Sequence, residues 1–151
     1  MGEVIGYMIT WTTYGSWLQG DERGYVKDGK VLPKDDTLLH SNLKRLKNPA
    51  TRFDHEHCEI VRHAILKKAH QINHKIYAIA VCSNHVHMVA QRSNKSIEKV
   101  VSLYKNAARL ALRAGGFNGR VWTRGFDKRF CFNRQQLESR IQYVNGHKKD
   151  V

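Results

Sequence analysis

The chain has 151 residues, which fits a single domain that encloses a hydrophobic core without disulfide support. Hydrophobic residues make up 41% of the sequence, so the composition excludes a largely disordered chain. The 26 Lys and Arg residues against 13 Asp and Glu give a formal net charge of +13, which predicts a polyanionic partner such as nucleic acid.

The first predicted elements are a strand, a long irregular segment and a helix. Residues 7–12 are rich in aromatic and β-favouring side chains, which predicts a strand. Residues 14–52 mix Gly, Asp, Lys and Pro with little periodicity, which indicates a long loop or an insertion. Apolar residues then recur at helical spacing from Glu56 to Asn73, so we predict a helix with one solvated face.

Two adjacent strands come next. Residues 76–81 are apolar at every position, as in a central strand with both faces at least partly covered. Ser83 and Asn84 supply a short turn, and residues 85–90 have the composition of a second strand. These two segments therefore predict an antiparallel hairpin.

A second amphipathic helix follows the hairpin. Ser96 predicts its N-cap, and Glu98 lies in the first turn, where a negative charge suits the helix dipole. The helix is predicted to end at Gly115 and Gly116, because glycine is the usual residue at a helix C-terminus.

The C-terminal part predicts short strand segments and one more helix. Residues 121–122 and 129–132 have strand character on either side of a turn at Gly125. Asn133 predicts the N-cap of a last helix that runs to about His147 and has one apolar stripe.

In chain order these elements predict an α+β fold. The first six regular elements match the ferredoxin-like β-α-β-β-α-β plan, with an antiparallel sheet and an additional C-terminal helix that carries a tyrosine. We expect residues 1–151 to form a single domain with a long loop or insertion at about 14–52. A fold of this kind does not by itself indicate a function.

The three cysteines, Cys58, Cys82 and Cys131, have no C-x-x-C spacing, which argues against a disulfide framework and a zinc ribbon. Cys82 lies in an apolar run and is interpreted as a small core residue. The sequence has no apolar run of about 18 residues, and residues 1–3 do not begin a signal peptide. We therefore expect a cytoplasmic protein without a membrane partner.

His85 and His87 are the first candidate functional residues. They are two apart on a predicted strand, so their rings lie on one side of the sheet, while Val86, Met88 and Ala90 face the core. Two imidazoles on the same side can bind a divalent metal ion. Taken alone, the pair is interpreted equally well as two surface histidines without a function.

Tyr143 and His147 are adjacent on one face of the last predicted helix, because they are four residues apart. Gln136 and Arg140 continue that face, which flanks the apolar stripe and can reach a site on the sheet. A tyrosine with its usual pKa of about 10 is a poor nucleophile unless a metal ion polarises the phosphodiester that it attacks. On spacing alone, a tyrosine packed at the edge of the core is the slightly better interpretation.

The segment Ser83-Asn84-His85-Val86-His87-Met88-Val89 resembles the HUH motif of single-strand DNA endonucleases. That motif consists of two histidines around a hydrophobic residue on a strand. The likeness continues through the helix with Lys105, the segment Trp122-Thr123-Arg124-Gly125-Phe126 and the helix with Tyr143. Over roughly residues 7–147 the chain resembles the single-tyrosine transposases of bacterial insertion sequences, and most closely their REP-associated tyrosine transposase branch.

The resemblance implies a metal-dependent single-stranded DNA endonuclease and strand transferase. It implies Mg²⁺ or Mn²⁺ as the cofactor, with His85, His87 and His147 as the metal ligands. Tyr143 would be the nucleophile that forms a 5′-phosphotyrosine link and frees a 3′-OH. The resemblance also implies a homodimer, with single-stranded or hairpin-containing DNA as the partner.

Six basic residues are the candidates for contact with the DNA backbone: Lys105, Arg120, Arg124, Lys128, Arg129 and Arg140. A solvated loop explains the four between positions 120 and 129 nearly as well. The aromatic residues Trp11, Tyr14 and Trp17 either stack on unpaired bases or close the core beneath the long loop. Tyr104 is a rival nucleophile, but its apolar neighbours favour a buried packing role.

Two other functions stay open at this point. The first is a basic module that binds DNA or RNA on the same fold without catalysing a reaction. The second is a metal-dependent hydrolase that acts on another phosphodiester. Covalent attachment of DNA to Tyr143 is the observation that separates a transposase from both.

Overall fold

A four-stranded sheet lies at the centre of the computed structural model, which describes residues 2–16, 25–27, 30–32 and 50–147. The strands and helices of these residues are, in chain order, β1 (Gly6–Thr12), β2 (Tyr25–Lys27), β3 (Lys30–Leu32), α1 (His55–Gln71), β4 (Ile76–Val81), β5 (His85–Gln91), α2 (Ile97–Ala114), β6 (Asp127–Cys131) and α3 (Arg134–Asn145). Within these ranges, none of the helices has the length and apolar character that a bilayer crossing requires.

The strand order in the sheet is β4-β5-β1-β6, and every neighbouring pair is antiparallel. This order arises when two β-α-β units, β1-α1-β4 and β5-α2-β6, are interleaved. The predicted ferredoxin-like plan with an extra C-terminal helix is therefore confirmed.

The segment predicted as a long loop or insertion contains a small hairpin. Strands β2 and β3 pair with each other in a separate two-stranded sheet. The predicted range also covers residues 17–24, 28–29 and 33–49, which lie outside the described part of the chain. Sequence periodicity did not indicate the hairpin, because each of its strands has only three residues.

Side-chain caps fix where the helices begin. The predicted caps are confirmed for α2, where Ser96 accepts a hydrogen bond from a backbone N–H, and for α3, where Asn133 does the same. Helix α1 begins one residue before its predicted start, because Asp54 and His57 form a capping box. The Asp54 carboxylate accepts from the His57 backbone N–H at 2.8 Å, and His57 Nδ1 accepts from the Asp54 backbone N–H at 3.2 Å.

The helices cover opposite faces of the sheet. Helices α1 and α2 pack on the larger core, where Val86, Met88 and Ala90 of β5 are buried as predicted. Helix α3 packs on the other face over a smaller cluster formed by Met8, Ala78, Ala80, Val89 and Val144. Because side chains alternate along a strand, His85 and His87 project toward α3.

Helix α3 approaches the sheet closely at Gly6 of β1. A Cβ atom at this position would lie 2.8 Å from the Ala90 carbonyl oxygen and 2.9 Å from Leu137 Cδ1 of α3. Both distances are shorter than van der Waals contact, so a side chain here would push the helix away. Glycine at this position therefore lets α3 lie directly on the sheet.

His74, between α1 and β4, is a buried histidine that connects the sheet to α2. Its Nε2 donates to the Gln91 carbonyl oxygen at 2.8 Å and lies 3.1 Å from the Tyr7 hydroxyl. The Tyr104 hydroxyl donates to its Nδ1 at 2.5 Å. Since a carbonyl oxygen can only accept, Nε2 carries a proton, and in the neutral ring Nδ1 is then the acceptor for the Tyr104 hydroxyl. Burial lowers the pKa of His74, which favours this neutral form.

We expect His74 to make the folded state less stable as the pH falls. Its pKa is below the ordinary 6.5 in the folded chain, so below pH 6.5 the unfolded chain takes up a proton that the folded chain does not. The contribution of neutral His74 to the free energy of unfolding is fully present above pH 6.5. Below pH 6.5 it decreases by at most about 1.4 kcal/mol per pH unit. Urea denaturation should show a larger stability difference between wild type and His74→Gln above pH 6.5 than below it. A difference that is independent of pH would contradict this assignment.

Candidate active site

Three imidazole rings meet between β5 and the C-terminal end of α3. The ring centroids of His85 and His87 are 4.7 Å apart. The ring of His147, which follows α3, lies 5.1 Å from that of His85 and 4.6 Å from that of His87. The Nε2 atoms of His85 and His147 are 2.9 Å apart. The structure thus brings together the three histidines at which the sequence predicts a metal site.

Hydrogen bonds on the outer side of two rings orient their inner nitrogens. His85 Nδ1 donates to the Asn84 side-chain oxygen at 2.7 Å, so the proton is on Nδ1 and the lone pair is on Nε2. His87 Nδ1 is 2.7 Å from the Thr10 hydroxyl, which is its neighbour across the β1–β5 pairing. Both contacts occupy Nδ1, so Nε2 is the nitrogen of each ring that remains for a metal ion. Histidines that ligate a metal commonly have such a hydrogen-bond partner on their other ring nitrogen.

His87 is held in the neutral form that a metal ion requires. It is 9% exposed, and burial lowers its pKa to about 4, with a further contribution from the neighbouring charges of His85 and His147. A histidine ligates through a lone pair, so a ring that stays unprotonated near neutral pH needs no deprotonation before it binds an ion.

Tyr143 lies next to the histidine rings on α3. The centroid of its ring is 5.7 Å from that of His87 and 5.9 Å from that of His147. Its side chain is 52% exposed, whereas the next residue, Val144, is buried against the sheet. The tyrosine is therefore fixed in position by its neighbour and open to a large substrate.

An open groove leads along α3 to Tyr143. Its wall includes Phe130 of β6, whose side chain is 41% exposed, and Arg140 of α3. Gln136 lines it as well, and its side-chain oxygen accepts a hydrogen bond from the Phe132 backbone N–H at 2.7 Å. The groove therefore places a cation and amide groups beside the tyrosine.

The basic residues of β6 project toward different faces of the sheet. Lys128 is opposite Ile9 on the side of α2, where its Nζ is 3.9 Å from the Glu98 carboxylate. Arg129 is opposite Met8 on the side of α3, and its Nε is 3.3 Å from the Asp127 carboxylate. Of the pair, only Arg129 shares a face of the sheet with the three histidines.

Two further basic residues have contacts within the chain. Lys105 Nζ donates to the carbonyl oxygens of Thr123 at 3.0 Å and Gly125 at 2.8 Å, and burial lowers its pKa. This lysine therefore holds the turn before β6. The Arg120 guanidinium lies 4.9 Å from the centre of the Tyr14 ring, and Arg124 is exposed on the same turn as Gly125.

Tyr104 and Trp11 are core residues. Tyr104 is fully buried, and burial raises the pKa of its hydroxyl, so the predicted packing role is confirmed. Trp11 is also buried, and its ring packs edge-on against Trp122 with centroids 6.0 Å apart. Trp11 thus closes the core, which was one of the two alternatives, while Trp17 lies outside the described residues.

A comparison with known protein families gives a match to the family described as "Transposase IS200 like", over residues 43–147. The chain belongs to this family. The matched residues include the histidine motif and the helix with Tyr143, and the match identifies the protein as a member of a transposase family.

Two solved structures are similar to this family member. One is a REP-associated tyrosine transposase bound to a REP hairpin, with 13% identity and a TM-score of 0.56 over 95% of this chain and 67% of that chain. Another is a candidate transposase from Deinococcus radiodurans, with 16% identity and a TM-score of 0.45 over 99% of this chain and 95% of that chain. The first likeness shows a shared fold. A search of curated proteins found no match.

The donor atoms of this IS200-like transposase fit a divalent ion. Two nitrogens that bind one ion at about 2.1 Å and at right angles are about 3.0 Å apart. The observed 2.9 Å between the Nε2 atoms of His85 and His147 is close to this distance. Mg²⁺ prefers oxygen ligands and imidazole suits transition metals, so three imidazoles fit a first-row transition ion better than Mg²⁺.

Sequence reasoning missed three residues around the rings. Thr10 and Asn84 hold the outer nitrogens of His87 and His85, and Cys82 has its sulfur in a group with the ring nitrogens of two histidines. The contact of Thr10 depends on the register between β1 and β5, which the sequence does not contain. The contact of Cys82 had a local signal, because a two-residue turn places residues three apart opposite each other.

We expect Thr10→Val to weaken metal binding without unfolding the protein. The substitution removes the oxygen next to His87 Nδ1 and keeps the branched shape of the side chain. Loss of such an outer partner commonly reduces metal affinity by about 10- to 100-fold. Calorimetric titration with Mn²⁺ measures the change. Thr12→Val, on the same face of β1, is the matched control and should have a smaller effect; equal effects would argue against a specific role for Thr10.

Proposed function

We propose that the chain is a metal-dependent single-stranded DNA endonuclease and strand transferase that acts through a 5′-phosphotyrosine intermediate. The observation that carries the proposal is the position of Tyr143, an exposed phenol whose ring lies 5.7 Å from that of His87 and 5.9 Å from that of His147. Membership of a transposase family supports it, because transposition requires strands to be broken and joined.

Each member of the site has a distinct role in this proposal. Tyr143 is the nucleophile, and His85, His87 and His147 hold Mg²⁺ or Mn²⁺. When bound, the ion polarises the scissile phosphodiester and offsets the charge that develops on its oxygens. Asn84 and Thr10 position two of the rings through their outer nitrogens.

The cleavage step exchanges one phosphate ester for another. The phenolic oxygen of Tyr143 loses its proton to solvent and bonds to phosphorus, while the bond from phosphorus to the 3′ oxygen breaks. The 3′ oxygen leaves with the electron pair and takes up a proton. Joining is the reverse exchange, in which a free 3′-OH attacks the phosphotyrosine and releases Tyr143. Since one ester replaces another, the reaction needs no external energy source.

We propose that the protein forms a homodimer. We also propose that its partner is single-stranded or hairpin-containing DNA. The net charge of +13 favours a polyanion, and the groove beside Tyr143 offers Arg140 to a phosphate. The similar REP-associated transposase binds a REP hairpin, which supports this class of substrate. The other basic residues that we propose for contact with the DNA backbone are Lys105, Arg120, Arg124, Lys128 and Arg129.

Strands labelled at one end test the proposal. A hairpin-bearing single strand is incubated with the protein and Mn²⁺, labelled at its 3′ end in one sample and at its 5′ end in another, and the products are separated under denaturing conditions. A 5′-phosphotyrosine link leaves the 3′ label on the protein and releases the 5′ label on a shorter strand. A 5′ label on the protein would exclude the proposed polarity.

Two other outcomes would replace the proposal. Cleaved strands without a protein-linked product would indicate a metal-dependent hydrolase. Retention of the strand in a native gel, with neither cleavage nor attachment, would indicate a non-catalytic DNA- or RNA-binding module.

A further inference from the structure

Cys82 lies opposite His85 at the end of the β4–β5 hairpin. The Cys82 backbone N–H donates to the His85 carbonyl oxygen at 2.8 Å, which closes a two-residue turn. The next pair along the ladder, Val81 and Val86, is buried in the larger core. Because side chains alternate, Cys82 and His85 both project to the other face, toward α3.

The sulfur of Cys82 is close to the ring nitrogens of the site. Cys82 Sγ and one ring nitrogen each of His85 and His147 all lie within 4.8 Å of one another. The cysteine is fully buried, whereas the two histidines are partly exposed. The sulfur therefore closes the inner side of a donor group that is open to solvent on its outer side.

We propose that the Cys82 thiolate binds the same metal ion as His85 and His147, so that this transposase prefers Zn²⁺ to Mn²⁺ more strongly than three imidazoles alone would. The inference rests on the proposed function in one respect, namely that the histidines hold an ion. A sulfur ligand shifts the preference of a site from hard ions toward borderline ions such as Zn²⁺ and Co²⁺. His87 would be the fourth ligand, and an oxygen of the scissile phosphate would enter as a fifth, since catalytic zinc ions can expand from four to five ligands.

The distances are compatible with one ion. Ligand atoms of a tetrahedral zinc ion, with Zn–N of about 2.05 Å and Zn–S of about 2.3 Å, are about 3.4 to 3.6 Å apart. In the structure, the Nε2 atoms of His85 and His147 are 2.9 Å apart, and Cys82 Sγ lies no more than 4.8 Å from a ring nitrogen of each histidine. The two nitrogens lie closer together and the sulfur lies within 4.8 Å of both, so an ion that bound all three would draw the two nitrogens apart by about half an ångström.

Binding changes the protonation of the cysteine and leaves its oxidation state unchanged. The S–H bond breaks, the proton passes to the buffer, and the sulfur lone pair bonds to the ion. A coordinated thiol is deprotonated by the charge of the metal. Metal binding should therefore release protons, and Zn²⁺ affinity should rise with pH.

Cobalt substitution gives a direct test, because a thiolate bound to Co²⁺ produces a charge-transfer absorption band that imidazole and oxygen ligands do not. The expected result is this band in the wild-type protein and in Cys58→Ser/Cys131→Ser, which retains Cys82 as its single thiol. The band should be lost in Cys82→Ser. A wild-type protein without the band, or a band that persists in Cys82→Ser, would overturn the inference.

A competition experiment measures the metal preference itself. Cys82→Ser should lower Zn²⁺ affinity by at least about tenfold, since even outer partners of metal ligands contribute about 10- to 100-fold. The affinity for Mn²⁺ should change less, because Mn²⁺ gains less from a sulfur ligand. Equal losses for the two ions would contradict a ligand role. Should Cys82→Ser fail to fold, the double cysteine variant still decides through its Co²⁺ band.

The two proposals fail in different ways. DNA attachment by a wild-type protein without the cobalt band would leave the transposase chemistry intact and remove only Cys82 from the site. The cobalt band in a protein that never attaches to DNA would keep the Cys82 site and contradict the phosphotyrosine mechanism.

Discussion

Tyr143→Phe should abolish the covalent link between protein and DNA while the strand still binds. The substitution removes the attacking oxygen and keeps the ring beside His87 and His147. Removing a catalytic nucleophile reduces turnover by several orders of magnitude, so we expect attachment to fall by at least about 10⁴-fold. The measurement is the fraction of a 3′-labelled strand that migrates with denatured protein. Binding in a native gel should change little, because the aromatic ring remains.

Two other tyrosines provide controls for this variant. Tyr77→Phe alters a partly buried tyrosine of β4 beneath α3 and should leave attachment unchanged. Tyr104→Phe removes the hydroxyl that bonds to His74 and should lower stability without preventing attachment. Attachment that survives in Tyr143→Phe and disappears in Tyr104→Phe would reassign the nucleophile.

His85→Ala should remove both metal binding and DNA attachment. His85 contacts Asn84 on its outer side and the Nε2 of His147 on its inner side, so its loss disconnects the strand from the end of α3. Loss of a metal ligand should reduce metal affinity more than loss of a residue that only hydrogen-bonds to a ligand. We therefore expect a reduction in Mn²⁺ affinity of more than about 100-fold. Calorimetry with Mn²⁺ and the attachment assay with and without a chelator are the measurements.

His63 provides the matched control for the ligand variant. It is an exposed histidine on α1, on the opposite face of the sheet, and His63→Ala should behave as wild type in both assays. Attachment that is insensitive to chelators in the wild-type protein would refute the metal requirement, whatever the effect of His85→Ala.

The sequence predicted those parts of the molecule that depend on local patterns. Alternation placed His85 and His87 on one side of β5, helical spacing paired Tyr143 with His147, and the cap at Asn133 fixed the start of α3. The order of elements was sufficient for the topology, because right-handed β-α-β crossovers leave few ways to arrange these strands.

The parts that the sequence did not predict depend on contacts between distant segments. The bond from Thr10 to His87 requires the register of two strands that are 77 residues apart along the chain. The separation of Lys128 and Arg129 onto opposite faces follows from their pairing with Ile9 and Met8. Cys82 ends an apolar run and was interpreted from that run alone, although one histidine of its donor group, His147, comes from the distant C-terminal end of the described chain.

A single element, α3, carries the proposed nucleophile and leads directly into His147, one of the proposed metal ligands. Its attachment to the sheet consists of one fully buried side chain, Val144, with Leu137 and Ile141 partly buried beside it. Any motion that lifts this helix with a DNA end on Tyr143 also withdraws His147 from the ion. If transposition required such a movement, the bound strand end could not be transported while the coordination shell stayed complete.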